Sequence, residues 1–361
     1  MARVTIGAWR RSARRVLTVT AAAALAASGT PAQAQTTSAP GAVAPNGNFF
    51  VIEDEGQKIR IHEWIDNQWR WEDHGAFGDH LEFSAPSSLS FTGGFYFTAT
   101  DPSNQLRLLS WQPGGTPQML LPKLGFDNPG TPSDIMYLNR VFVTSGNNLH
   151  EYFVRWSAVS TPFPHPKRDK VHAQRPCVMA DGHVFVTSDK GKLLQLWDQP
   201  GKGWTWVDHD YPEPGWFKVR AVFVGAGMPT NKVFVTCNDG TLRQRWWTGT
   251  KWEWHNHGSP FGWRIDSRAA ATQDGRLFVT GDWDHAGGNT RTLLQLYYHF
   301  ASGQWIWFDH GRPFGVSIDE VGAAVAWGVD RAIVKGVDEN FYGCVWNGTA
   351  WVWDAYGRPV P

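Results

Sequence analysis

The sequence predicts an all-β fold, a seven-bladed β-propeller of four-stranded antiparallel blades, on two periodic signals that agree in count. A strand core Phe-Val-Thr recurs at Phe142-Val143-Thr144, Phe185-Val186-Thr187, Phe234-Val235-Thr236 and Phe278-Val279-Thr280, with weaker copies at Phe50-Val51-Ile52, Phe97-Thr98 and Ile333-Val334-Lys335. The middle positions, 51, 97, 143, 186, 235, 279 and 334, step by 43 to 55 residues. A second anchor, Trp-x-Trp, stands at Trp69/Trp71, Trp204/Trp206, Trp252/Trp254, Trp305/Trp307 and Trp351/Trp353. The 135 residues from Trp69 to Trp204 amount to three such periods, so two copies have lost their tryptophans. Seven strand-rich units of this length point to a radial array of sheets rather than a helical solenoid.

Residues 1–34 read as a secretory signal peptide. Arg3, Arg10, Arg11, Arg14 and Arg15 form a basic head, Val16 to Ala27 an apolar run, and Ala32-Gln33-Ala34 a cleavage site. Cleavage after Ala34 would deliver a secreted or periplasmic protein. Arg14-Arg15 before Val16-Leu17 match a twin-arginine signal in part. The apolar run is too short to span a bilayer, and no later stretch is longer. Residues 35–40 are a polar lead-in, and residues 41–361 hold the seven repeats as one domain with no visible linker.

Each repeat reads as four strands. In the sixth, Arg268-Ala269-Ala270-Ala271-Thr272 is short and small-sided, which suits the crowded inner rim. After the turn at Asp274-Gly275 come Leu277-Phe278-Val279-Thr280 and then Leu293-Leu294-Gln295-Leu296-Tyr297. Trp305-Ile306-Trp307 closes the unit. Aromatic third and fourth strands suit the wider outer part, where neighbouring blades need filling.

Charge narrows the function classes. The whole chain balances 33 basic against 33 acidic residues, but the leader removes five basic ones and no acid, leaving a net charge of −5. That argues against nucleic acid and anionic membranes as partners. Cys177, Cys237 and Cys344 are odd in number and lack metal-type spacing, so they read as small buried strand residues. Asp282, Asp284 and His285, in an insertion of the sixth repeat, are metal ligands by type but not by spacing. No cofactor or metal is expected. There is no nucleophile elbow, phosphate loop, H-E-x-x-H or spaced carboxylate pair.

Two groups of residues carry the candidate function. The first is Trp-x-Trp-x-x-His-Gly, which places Trp71 with His74, Trp206 with His209, Trp254 with His257 and Trp307 with His310. Trp353 is followed by Tyr356 in the histidine's place, and Trp247 ends a third strand. An indole face packs on the apolar face of a pyranose, and His beside Asp orients hydroxyls. The same residues equally suit a structural network repeated in every blade. The second group lies on the segments joining one repeat to the next: Trp216, Lys218, Arg220, Trp263, Asp266, Arg268, Asp319 and Glu320. Their unlike charges and aromatics would ring one mouth of the central channel, as a single asymmetric site requires.

The run Leu242-Arg243-Gln244-Arg245-Trp246-Trp247-Thr248-Gly249-Thr250-Lys251-Trp252-Glu253-Trp254, followed by His257-Gly258-Ser259-Pro260, resembles the bacterial seven-bladed propeller lectins of the Photorhabdus lectin type. It is also similar to fungal fucose- or N-acetylglucosamine-binding propellers. The resemblance covers residues 41–361 in period and strand plan. It implies small sugar pockets between adjacent blades, near the 4/5, 5/6, 6/7 and 7/1 boundaries, glycans or small sugars as partners, and no catalysis. Repeats 2 and 3 depart from it, with Gln118-Met119-Leu120 and Ser160-Thr161-Pro162-Phe163 in place of the aromatic pair. The uneven channel ring keeps an enzyme in play: some lectin-like fungal propellers are cyclases, and here Lys218, Arg220, Asp266 and Arg268 would be the catalytic candidates. Sugar identity, number of working sites and oligomeric state are left open by the sequence.

Overall fold

The computed structural model describes residues 42–43, 49–53, 58–65, 68–76, 82–83, 87–89, 95–100, 106–111, 118–124, 129–132, 140–145, 147–153, 160–163, 169–172, 175–179, 181–213, 220–228, 231–272, 274–283, 290–319, 324–325 and 331–359. The expected signal peptide, Trp216, Lys218, Asp284, His285 and Glu320 lie outside them. Among the described residues every regular element but one is a β-strand, the exception being the single 3₁₀ turn Pro313–Gly315. No helix there is long and apolar enough to cross a membrane.

The strands form seven antiparallel sheets in chain order, spanning 42–76, 82–124, 129–163, 177–208, 221–258, 264–311 and 324–357. These are called sheets 1 to 7 below. Five have four strands; sheets 2 and 6 have five, because two short pieces share the place of the innermost strand. In sheet 6 those pieces are Arg264–Ile265 and Ala270–Ala271, both paired with Leu277–Asp282. Between them Ser267 Oγ accepts from the Thr280 backbone N–H at 2.8 Å, so the break does not orphan the partner strand.

Each sheet is built by three successive hairpins, and the Phe-Val-Thr core is the second strand. In Val184–Thr187 all four residues are buried, so the strand is covered on both faces. The Asp-Gly turn before it in sheet 6 needs a left-handed residue, and Gly275 supplies it at φ 88°.

The hydrophobic core lies between the sheets rather than at one centre. Phe142 and Leu149 of sheet 3 pack with Val178, Val184 and Leu194 of sheet 4. Phe185 and Leu193 pack with Val233 and Val235 of sheet 5, and Phe234 and Leu242 with Leu277 and Val279 of sheet 6. Phe278 and Leu293 meet Ala332 and Val334, and Ile333 and Phe341 of sheet 7 meet Phe49 of sheet 1. Strand Ala42–Val43 runs beside Ser87–Leu89, and Phe95–Thr100 beside Pro129–Pro132. Each sheet thus packs on the next and the seventh on the first. The three cysteines are buried within this packing.

Candidate functional site

The aromatic motif of the fourth strand joins neighbouring sheets. Both tryptophans of a pair face the preceding sheet, and the histidine three residues on faces the next. Trp252 sets its edge on Phe185 and on His209, with ring centroids 5.9 and 4.9 Å apart. Trp305 does so on Phe234 and His257, and Trp351 on Phe278 and His310. The second indole of each pair donates its N–H to a backbone carbonyl of the sheet before. Trp254 reaches His209 at 3.3 Å, Trp307 reaches His257 at 3.0 Å, and Trp353 reaches His310 at 3.0 Å. Trp71 of sheet 1 reaches Tyr356 of sheet 7 at 2.8 Å. Trp206 is half-buried in the core between sheets 3 and 4.

The histidines are held just as firmly. His209, His257 and His310 each place Nε2 against a third-strand glutamine: Gln195 at 2.7 Å, Gln244 at 2.9 Å and Gln295 at 2.8 Å. His74 meets Glu63 at 3.1 Å. Arg245 donates to Nδ1 of His209 at 3.3 Å, which leaves the ring proton on Nε2, directed at the glutamine oxygen. Burial pushes His209 and His257 down to about 3 and His310 to about 4. These imidazoles are neutral at pH 7.

Tyr356 takes the histidine's place in sheet 7, and the residue at the glutamine position is Gly343, opposite Ile333 as Gln244 is opposite Phe234. A Cβ on Gly343 would overlap the Tyr356 hydroxyl and ring. The pair has changed together, a large phenol with no neighbour side chain replacing imidazole and amide. The phenol ring is boxed in by Phe49, His62 and Arg331, and burial raises its pKa to about 12. Gly343→Ala should therefore lower stability by about 1–3 kcal/mol, as overpacking does. Adding Tyr356→His should restore most of it in a urea titration, and no recovery would refute the pairing.

A further element of the joint is a cation that the motif search passed over. The residue two before the Phe of Phe-Val-Thr is basic in several repeats, and its side chain covers the first tryptophan of the next sheet. Arg140 lies 5.5 Å from the Trp204 ring centroid, Lys232 5.9 Å from Trp305, Arg276 5.5 Å from Trp351, and Arg331 4.8 Å from Trp69. Its signal in the sequence was the spacing of basic residues before the strand core.

Among the described residues, the 3/4 boundary departs from this repeated joint. In sheets 5, 6 and 7 the residue directly opposite the first tryptophan is aromatic: Trp247 opposite Trp252, Tyr298 opposite Trp305, Trp346 opposite Trp351. Those ring pairs are in contact at 5.5–5.8 Å. In sheet 4 the residue opposite Trp204 is Asp198. There a cavity of about 300 Å³ opens between sheets 3 and 4, lined by Arg140, Asp181, Gly182, His183, Trp197, Asp198, Pro200 and Trp204. The cleft holds space where its counterparts hold a ring, with a carboxylate at the position of that ring. The sequence places its pockets at the 4/5 to 7/1 boundaries; the cavity is at 3/4, and none of the residues expected to stack on a sugar lines it.

Of the channel-mouth candidates, Trp263 donates its indole N–H to Asp309 at 3.2 Å and meets Trp283 edge to face at 5.1 Å. Asp266 pairs with Arg291 and accepts from Thr280. Arg268 donates to the Val224 carbonyl at 2.9 Å, tying sheet 6 to sheet 5. The Arg220 backbone N–H bonds Asn238, and Asp319 stands 3.5 Å from the buried Lys335 ammonium. Each is fastened to a different partner.

Sequential four-stranded sheets, each packed on the next and the last on the first, define a β-propeller. Solved structures share the fold. Virginiamycin B lyase from Staphylococcus aureus aligns with TM-score 0.57 and 12% identity over 86% of this chain and 95% of its own. YCF48 bound to D1 peptide aligns with TM-score 0.58 and 12% identity over 87% and 95%. A post-proline cleaving enzyme from Rickettsia typhi aligns with TM-score 0.60 and 11% identity over 91% of this chain and 54% of its own. These proteins include enzymes and non-enzymes, and at such identity the likeness is one of fold. No protein-family model and no curated protein matches the sequence.

Proposed function

We propose that the protein is an exported, non-catalytic carbohydrate-binding protein that takes a monosaccharide, of the fucose type or a related sugar, in a pocket between adjacent sheets. The observation that carries this reading is the cavity at the 3/4 boundary, where Asp198 stands in place of an aromatic ring beside Trp204. A cleft of about 300 Å³ that combines two indoles with arginine, histidine and two carboxylates has the apolar wall and convergent polar groups that a sugar needs. The resemblance of the repeats to propeller lectins supports the same reading, as does the leader-like N-terminus.

The test is retention on immobilised monosaccharides and on a glycan array. Asp198→Trp restores the ring found in the other clefts and should abolish binding while leaving the thermal melt unchanged. If binding is instead lost in Trp254→Phe or Trp307→Phe and kept in Asp198→Trp, the working pockets lie at the other boundaries. Failure of the intact protein to retain any glycan would overturn the reading. A second reading, a single-site enzyme at the channel mouth, is favoured by the partly exposed Trp263–Trp283 corner beside Asp309; it predicts a small molecule trapped there, displaced by Trp263→Ala.

A further inference from the structure

We infer that the pocket between sheets 3 and 4 selects sugars bearing a protonated amine over their neutral, N-acetylated and acidic counterparts, with Asp198 as the selecting residue; this rests on the carbohydrate-binding reading above. The charges within the lining do not balance. Arg140 is its one permanent cation, and that charge is already engaged: its guanidinium holds Glu151 at 3.0 Å and lies over Trp204. His183 packs edge to face on Trp197, and burial lowers its pKa, disfavouring its charged form. Asp181 bonds the His183 backbone N–H at 3.2 Å and stands 3.7 Å from the imidazole. No ion pair to Asp198 is found among the described residues. The lining therefore carries two carboxylates with no permanent cation assigned to them; behind the Arg140 ion pair, the pKa of Glu151 is raised first by burial and further by Asp198.

Register makes Asp198 the discriminating group. Directly opposite Trp204 on the neighbouring strand, its carboxylate stands beside the indole wall. A ring packed against Trp204 could present its apolar face to the wall and a substituent amine to the carboxylate. An ammonium there gains a charge-assisted hydrogen bond. A hydroxyl or an N-acetyl N–H donates to the same carboxylate without the attraction of a second charge, and a uronate is repelled. Because the site is open to solvent, the gain is that of a partly screened pair and falls with salt.

The experiment is calorimetric titration of the full chain with glucosamine, galactosamine, glucose, galactose, L-fucose, N-acetylglucosamine and glucuronate, in mildly acidic low-salt buffer where the amines are protonated. The expected result is about tenfold tighter binding of the amino sugars than of their neutral parents, or about 1.4 kcal/mol. Asp198→Asn should bring that ratio to about one, and added salt should shrink it in the intact protein. Equal affinity for glucosamine and glucose, a preference for glucuronate, or a ratio untouched by Asp198→Asn would overturn the inference and leave the carbohydrate reading standing. If no sugar binds at all, that reading falls first. Asp198→Asn is isosteric at an exposed strand position, so its fold is not at risk, and an unchanged thermal melt checks it.

Discussion

Lowering the pH from 7 to about 4 should unfold this protein through its histidines. His62, His209, His257 and His310 sit among aromatic rings between sheets. Burial pushes their pKa values from 6.5 to about 4, 3, 3 and 4, with Arg331 adding to the effect at His62 and Arg245 at His209. A histidine whose folded pKa is depressed binds its proton more readily when unfolded. Its contribution is whole above about 6.5 and is lost as the pH falls toward the folded value. At about 1.4 kcal/mol per unit, each withholds about 3–5 kcal/mol by the time the folded value is reached. Four such groups together match the whole stability of an ordinary domain, about 5–15 kcal/mol, so the transition should come well before the lowest of them titrates. Tryptophan fluorescence and near-ultraviolet circular dichroism between about pH 7 and 4 read it directly. His257→Phe should flatten the curve. A melting temperature that stays level across this range would show that these imidazoles are not held neutral.

The second large effect belongs to the phenylalanine of the strand core. Phe278 is fully buried, stacked on His310 at 5.8 Å and met edge-on by Trp351 at 5.3 Å. Phe278→Ala should cost about 3–5 kcal/mol, the usual range for emptying such a site. Trp353→Phe keeps most of the volume and removes only the N–H that serves the His310 carbonyl, so about 1–3 kcal/mol is expected. Equilibrium urea unfolding separates the two. A Phe278→Ala loss under about 1 kcal/mol would mean that the 6/7 boundary is not packed as described.

Much of the fold could be read from the chain. The Phe-Val-Thr period finds the second strand of each well-formed sheet, and Trp-x-Trp finds the fourth. Lys335 marks the limit of that pattern. It replaces the threonine of the strand core, and is buried because Asp319 and Glu339 receive its ammonium. What local sequence does not contain is where an indole N–H ends up. Nothing within Trp305-Ile306-Trp307 says that its donor serves a carbonyl 50 residues away, at His257.

The site was hidden for a related reason. Trp197 looks like the counterpart of Trp247 and Trp346, since each stands at or near the end of a third strand. In the structure it is Asp198 that stands opposite Trp204, whereas Trp197 pairs with Thr205. Side chains alternate along a strand, so an offset of one position puts the carboxylate and not the indole directly across from Trp204. Pattern matching tolerates such an offset; a pleated sheet does not.

The bonds from each indole to the sheet before it have a consequence for how such a chain can change length. Donor and acceptor are chemically the same at each of these seams: a fourth-strand tryptophan and the carbonyl of a residue three places after its predecessor's. If a gene lost or duplicated one repeat, the newly adjacent edges would still present a matching donor and acceptor, and no seam would need to be reinvented. The units are interchangeable parts, and the chemistry of their joints does not itself count them.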